Sequence, residues 1–160
     1  MEINYFYPFL RKDILKLEKV QRRATKFAPG LRNIDYLERL KILNLTTLEE
    51  RRVRGDLIQQ FKILKGFDKV LWKHPPQPMP TADESRPLMH TRGHHLRYQK
   101  EKSNSTIRSN FFNNRIANTW NNLPEDVINA KSLNAFKAKI DKIYEKTDSY
   151  SLNKRMREAD

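Results

Sequence analysis

Lys12, Lys16, Lys19, Arg23 and Lys26 recur at spacings of four, three, four and three. At about 100° per residue, such positions lie along one side of a helix. Cations in a row make no bonds; they neutralise anions, and a phosphate backbone presents anions in a row. Two further basic groups follow. Arg51, Arg52 and Arg54 form one; Arg92, Arg97, Lys100, Lys102, Arg108 and Arg115 form the other, with Glu101 the only acid among them. Tyr98 and Phe111 interleave with this last group. Aromatics beside arginines suit single-stranded nucleic acid, where bases stack and phosphates pair, and they serve equally as packing residues. A lysine-rich face is also what an ordinary solvated helix presents.

The rest of the composition narrows the chemistry. Across 160 residues, 32 Lys+Arg stand against 19 Asp+Glu, a formal net charge of +13. A field of that sign favours a polyanion, nucleic acid first and an anionic membrane surface second. The absence of cysteine excludes disulfides, thiolate catalysis and cysteine-ligated zinc. His90, His94 and His95 offer at most two ligands in one geometry, with no carboxylate pair nearby, so no metal is expected. No phosphate-cradling glycine loop, dinucleotide fingerprint, zinc-protease helix or nucleophile elbow is present. Glu125 and Asp126 adjoin each other in a turn after Pro124, with no third acid close in sequence. A metal-dependent polymerase needs carboxylates that hold two ions together. The chain is therefore not expected to be an enzyme or to need a cofactor. No apolar run approaches the roughly 20 residues that span a bilayer, and the start lacks the cationic region of a signal peptide.

Several elements must position these cations. Asp13 is expected to cap a helix whose apolar stripe is Ile14, Leu17, Val20 or Gln21, Ala24 and Phe27, opposite the cationic row, with Pro29-Gly30 as its stop. Asp35-x-x-Glu38 has capping-box spacing and opens a short helix with Leu37, Leu40 and Leu43 inside. Thr47-x-x-Glu50 opens a longer one that runs to Leu64, with Gly66 as its stop. Its three arginines oppose the macrodipole, so Glu49, Glu50, Asp56 or an external phosphate should offset them. Gly55, mid-helix, predicts a close helix crossing. Phe67, Leu71 and Trp72 are placed to fold back on this helix.

A proline-rich connector over residues 73–90 favours extended chain with few contacts. Leu96 and Tyr98 alternate with Arg97 and Gln99 at strand period, and Thr106-Ile107-Arg108 is expected to return as the second strand of a hairpin. Phe112, Ile116, Trp120 and Leu123 mark the buried face of a helix rich in asparagine, a mediocre helix former. That helix must be held by its aromatic face, and Leu123-Pro124 stops it. A last helix runs from Ser132 to about Lys146, with Leu133, Phe136, Ile140, Ile143 and Tyr144 inside, packed on the Trp120 helix. The tail from Thr147 is polar. Tyr5, Phe6, Tyr7, Phe9 and Leu10 open the chain with an apolar cluster that wants a partner surface, as if an upstream neighbour were missing.

Four blocks carry a family resemblance. They are the phenylalanine pair Phe111-Phe112 with Arg115 and then Trp120-Asn121-x-Leu123-Pro124; L-E-K-V-Q-R-R-A-T-K from Leu17 with Pro29-Gly30-Leu31-Arg32; the run from Leu40 to Ile58; and Thr91-Arg92-Gly93-His94. Together they resemble the C-terminal region, thumb and post-thumb, of jockey-like non-LTR retrotransposon reverse transcriptases, over most of residues 8–146. His95 departs from the small polar residue of that pattern. The resemblance implies that the block from Leu17 belongs to a thumb lying along the template–primer duplex. It implies RNA-directed DNA synthesis primed by nicked target DNA for the whole polyprotein. The palm motif, an aromatic followed by Ala-Asp-Asp, is absent, and so is the endonuclease.

The fold class expected is mainly α, a small helical bundle with one β-hairpin. Residues 1–72 form a thumb-like helical region, 73–90 a linker, 91–146 the basic hairpin with two helices, and 147–160 the tail. The function expected is that of a non-catalytic nucleic-acid-binding fragment of a retrotransposon RNA-directed DNA polymerase. Its partners would be RNA, RNA–DNA duplex or target DNA, and the upstream polymerase domain, without a membrane. An intracellular, nuclear location follows if nucleic acid is bound. The alternatives are a helical protein-interaction module and a truncated relic that does not act alone.

Overall fold

The computed structural model describes residues 8–73, 75–79 and 93–144. Tyr5 to Tyr7, positions 80–90 of the connector including His90, Thr91 and Arg92, Lys146 and the tail from Thr147 lie outside the described residues. The described chain is mainly α-helical and contains no sheet. It divides into two compact units between Asp56 and Leu57.

The first unit holds α1 (Arg11–Ala24), a 3-10 turn (Thr25–Phe27), α2 (Tyr36–Ile42) and the start of α3 (Leu48–Leu64). Leu10, not Asp13, occupies the N-cap of α1, without a side-chain bond; Asp13 sits in the first turn and pairs with Lys16 at 3.5 Å. Its charge still complements the positive end of the helix. Asp35 caps α2 by accepting from the Leu37 N–H at 2.9 Å, and this amide above all holds its carboxyl below the usual range. Leu40 is buried as expected from periodicity, but Tyr36 and Arg39 are its buried companions, while Leu37 is exposed. Asn44 ends α2 at φ 51, where the Leu45 and Asn44 amides close on the Leu40 and Lys41 carbonyls at 2.8 and 3.1 Å. That is a Schellman closure with asparagine in the left-handed position.

Helix α3 opens on the reciprocal capping box. The Glu50 N–H donates to Thr47 Oγ1 at 3.2 Å, and the Thr47 N–H donates to Glu50 Oε2 at 2.9 Å. It closes at Gly66, φ 74, where Phe67 and Gly66 N–H groups reach the Lys62 and Ile63 carbonyls at 2.9 and 3.1 Å. An L side chain is strained at this φ, so glycine is the natural stop. Gly55 serves no crossing: it is exposed, and a Cβ added there meets nothing within 4 Å.

The second unit contains the end of α3, from Leu57, then α4 (Thr106–Ser109), α5 (Phe112–Asn121), α6 (Glu125–Ile128) and α7 (133–144). Its core is aromatic. Phe61 stacks on Phe136 with centroids 4.0 Å apart, and Trp120 meets Phe136 at 6.2 Å. Leu57, Phe112, Ile116, Leu123, Val127, Ile128 and Ile140 complete it. Each such side chain contributes roughly 1.5–3 kcal/mol on removal from water. Ser132 caps α7 through its Oγ, which accepts from the Ala135 N–H at 3.2 Å. Phe67 and Leu71 do not fold back on α3; both are exposed, Leu71 fully.

The expected hairpin is absent. Thr106–Ser109 is a single helical turn, and Tyr98 forms an isolated antiparallel bridge with Pro78 instead. Both backbone edges of the 97–99 segment are already occupied. On one, the Met79 N–H reaches the Arg97 carbonyl at 3.0 Å and the Gln99 N–H reaches the Gln77 carbonyl at 2.8 Å. On the other, the Asn121 carboxamide takes both polar groups of Tyr98. No edge is left for residues 106–108 to join. The described part of the proline-rich connector is thereby bonded to the basic segment. Among the described residues, no helix is long and apolar enough to cross a membrane.

Candidate nucleic-acid interface

The cationic row of α1 is aimed by a polar seam on the opposite side of the helix. Glu18 is buried, and its carboxylate accepts from the Tyr36 hydroxyl and, at 3.1 Å, from the Leu48 N–H in the first turn of α3. A carboxylate placed there suits the helix dipole as well. Gln21 donates to the Tyr36 hydroxyl oxygen at 3.2 Å and to the Thr46 carbonyl at 2.9 Å. Buried Thr25 accepts from Arg39 Nε at 3.0 Å, and Arg39 also donates to the Ile34 and Arg22 carbonyls. The Arg22 guanidinium lies 4.7 Å from the Tyr36 ring centre. Burial, then the bond to Glu18, pushes the Tyr36 phenol up to about 12. These groups would be costly to leave unpaired, so they fix the roll of α1 about its axis.

With that roll fixed, Lys12, Lys16, Lys19, Arg23 and Lys26 are all exposed. Lys16 pairs loosely with Asp13. Among the described residues, no carboxylate lies within ion-pair distance of Lys12, Lys19, Arg23 or Lys26. From Lys12 to Lys26 the row extends about 21 Å, at roughly 1.5 Å per residue. The expected apolar stripe needs correction. Ile14, Leu17 and Gln21, the last the expected alternative to Val20, are half-buried, but Val20 is 66% and Phe27 78% exposed, Ala24 is exposed, and Glu18 and Thr25 face inward. Leu15 is exposed as well. Leu15, Val20 and Phe27 thus border the cations, while Ile14 and Leu17 keep the opposite side.

The arginines of α3 do not share one exposure. Arg51 is exposed; Arg52 and Arg54 are half-buried, and both engage other groups of the fold. The Nε and Nη2 atoms of Arg52 are buried. Glu50 is committed to the capping box, and Glu49 pairs with Arg11 at 3.6 Å.

In the second unit, the basic segment is held against α5 by asparagine. Asn121 brackets Tyr98, and Asn114 Oδ1 accepts from the Glu101 N–H at 3.0 Å while its Nδ2 donates to the Arg108 carbonyl at 3.1 Å. Tyr98 is buried and donates its hydroxyl to the Asn113 carbonyl at 3.2 Å. It therefore packs and offers no stacking face. His94 is buried too. Its Nε2 donates to the Trp120 carbonyl at 2.9 Å, and Trp120 Nε1 donates to the Leu96 carbonyl at 3.0 Å. Burial pulls the His94 imidazole below its usual value.

Of the cations here, Lys100 and Lys102 are exposed. Arg108, also exposed, is clasped by Glu101 at 2.6 and 3.1 Å beside the exposed Phe111 ring. Arg97 donates to the His94 carbonyl at 3.2 Å, and Arg115 lies 5.4 Å from the Phe112 ring centre and donates to the Asn110 carbonyl at 3.4 Å. Glu125 faces His95 at 3.7 Å and Asp126 faces Lys139 at 3.3 Å. Among the described residues, no three His, Cys, Asp or Glu converge as a metal-ion group.

The exposed Phe27, assigned to the core by its spacing, escaped the sequence reading, and so did the seam of Glu18, Tyr36 and Arg39. No family model, no curated protein and no solved structure matches this chain.

Proposed function

We propose that the chain is a non-catalytic nucleic-acid-binding segment that supports the RNA template or RNA–DNA duplex of a retrotransposon RNA-directed DNA polymerase. The bond-making carboxylates belong to a separate polymerase domain, its protein partner. Target DNA is the further polyanion this chemistry accepts, and the nucleus is the corresponding compartment. The observation that carries the reading is the outer face of α1: five cations in register, all exposed, four of them without an acidic partner among the described residues. The blocks around Leu17, Leu40, Thr91 and Trp120 supply the polymerase context, and the phosphate chemistry of the cations supplies the binding.

The test is equilibrium binding of the full chain to an RNA hairpin and to an RNA–DNA duplex over a range of salt. Each phosphate neutralised contributes a slope of about −0.9 in log affinity against log salt on B-form duplex, and about −0.7 on single strands. A steep slope is expected. Undetectable binding of both probes at low salt removes the reading.

A further inference from the structure

The row of cations on α1 runs into an aromatic ring. Phe27 ends the 3-10 turn that continues α1, four residues beyond Arg23 and next to Lys26, and it is 78% exposed. Ala28 then turns the backbone to extended geometry, so the ring stands at the end of the row. Among the described residues it has no ring or cation partner. Val20, three residues before Arg23 and seven before Phe27, continues the same border toward the helix start. A ring of this size left in water beside cations is poorly explained by phosphate binding alone, since phosphates make no use of it.

From this geometry we infer that the α1 face is a platform for an unpaired nucleic-acid strand, with Phe27 stacking one base while the cations from Lys12 to Lys26 track the backbone. The inference rests on the nucleic-acid reading above and names the strand state it favours. A base within a duplex has both faces covered by its neighbours. An unpaired base has a free π-face, and stacking on an aromatic side chain tolerates any sequence. The competing occupant is an anionic lipid surface. A helix lying on a membrane buries a broad apolar face in the headgroup region. The half-buried Ile14 and Leu17 and the buried Glu18 and Thr25 already occupy the inward side of α1. What remains apolar outside is two borders around a charged centre.

The experiment uses the full chain, an unstructured RNA of about 12 nucleotides and the RNA–DNA duplex of the same sequence, read by fluorescence anisotropy. Phe27→Ala is compared with Phe27→Tyr, which keeps the ring, and circular dichroism checks that both variants retain their helix content. The expected result is a loss of roughly five- to 150-fold for single-stranded RNA in Phe27→Ala, with duplex affinity within about twofold and Phe27→Tyr close to the parent. Equal effects of Phe27→Ala on both probes, or none on either, overturn the stacking platform and leave the nucleic-acid reading standing. Failure of the parent chain to bind either probe at low salt overturns both. Phe27-dependent binding to phosphatidylserine vesicles without oligonucleotide binding also overturns both and assigns the face to lipid.

Discussion

The Asn121 carboxamide brackets the backbone of Tyr98: its Oδ1 accepts from the Tyr98 N–H at 3.2 Å, and its Nδ2 donates to the Tyr98 carbonyl at 2.8 Å. A side chain here imitates the strand edge that a hairpin would have supplied. This also accounts for asparagine in α5, where propensity alone disfavours it. Asn114 does the same for Glu101 and Arg108.

Asn121→Ala removes both bonds and strands two backbone groups. It should destabilise the chain by about 1–3 kcal/mol in a urea denaturation series. Asn121→Asp keeps the acceptor and loses the donor, so it should retain only the contact to the Tyr98 N–H. A loss under about 0.5 kcal/mol for Asn121→Ala would show that water replaces the amide at no cost.

Gly55→Ala should stabilise. Position 55 is helical and exposed, and the added methyl meets no atom within 4 Å. Alanine gains up to about 1 kcal/mol over glycine in a helix interior, partly by restricting the unfolded chain. The change is read as a higher urea midpoint at unchanged slope.

Acid should weaken the second unit through His94. Its imidazole is held below the ordinary 6.5, mainly by burial, so the neutral form belongs to the folded state. As pH falls through about 6.5, the unfolded chain takes up the proton first. The stability contributed is complete above that pH and is lost as pH falls toward the folded value. Thermal melts from about pH 7 to pH 5 should show the decline. His94→Gln, which keeps a donor near Nε2, should flatten it.

Tyr36 has the opposite sense. Its phenol is pushed up to about 12, by burial first and by Glu18 next. The stability it contributes is full below the ordinary value of 10.0 and is lost as pH rises toward about 12. Tyr36→Phe should abolish that alkaline loss. It should also cost about 1–3 kcal/mol at neutral pH, because Glu18 then keeps only the Leu48 N–H among its bonds given above.

Replacing Lys19 with alanine should lower affinity for RNA–DNA duplex and make its salt dependence shallower by about 0.9. Lys19 is exposed, so the fold should be unchanged. An unchanged slope would mean that the middle of the row meets no phosphate.

What the sequence made legible was local. Thr47 with Glu50, Gly66 and the Phe112–Ile116–Trp120 spacing were all readable because a cap, a stop and an amphipathic face are decided within one or two turns. The roll of α1 was not. Glu18 and Thr25 point inward because Tyr36, Leu48 and Arg39 complete their hydrogen bonds from other elements, and spacing alone favours the apolar Val20 and Phe27 for those places. The absent hairpin has a similar cause. The alternation at Leu96 to Gln99 correctly marks extended backbone, but its partners come from Gln77 to Met79 and from a side chain on α5. The histidine of Thr-Arg-Gly-His is set aside as a metal ligand in the sequence, and only the fold shows it as an anchor to Trp120.

The clasp between α5 and the segment from His94 to Glu101 has a consequence for chain continuity. Six hydrogen bonds, from His94, Trp120, Tyr98, Asn114 and Asn121, join the two without help from the covalent path through residues 102–105. A protease that nicks this exposed turn should leave fragments that travel together through a sizing column until denaturant parts them.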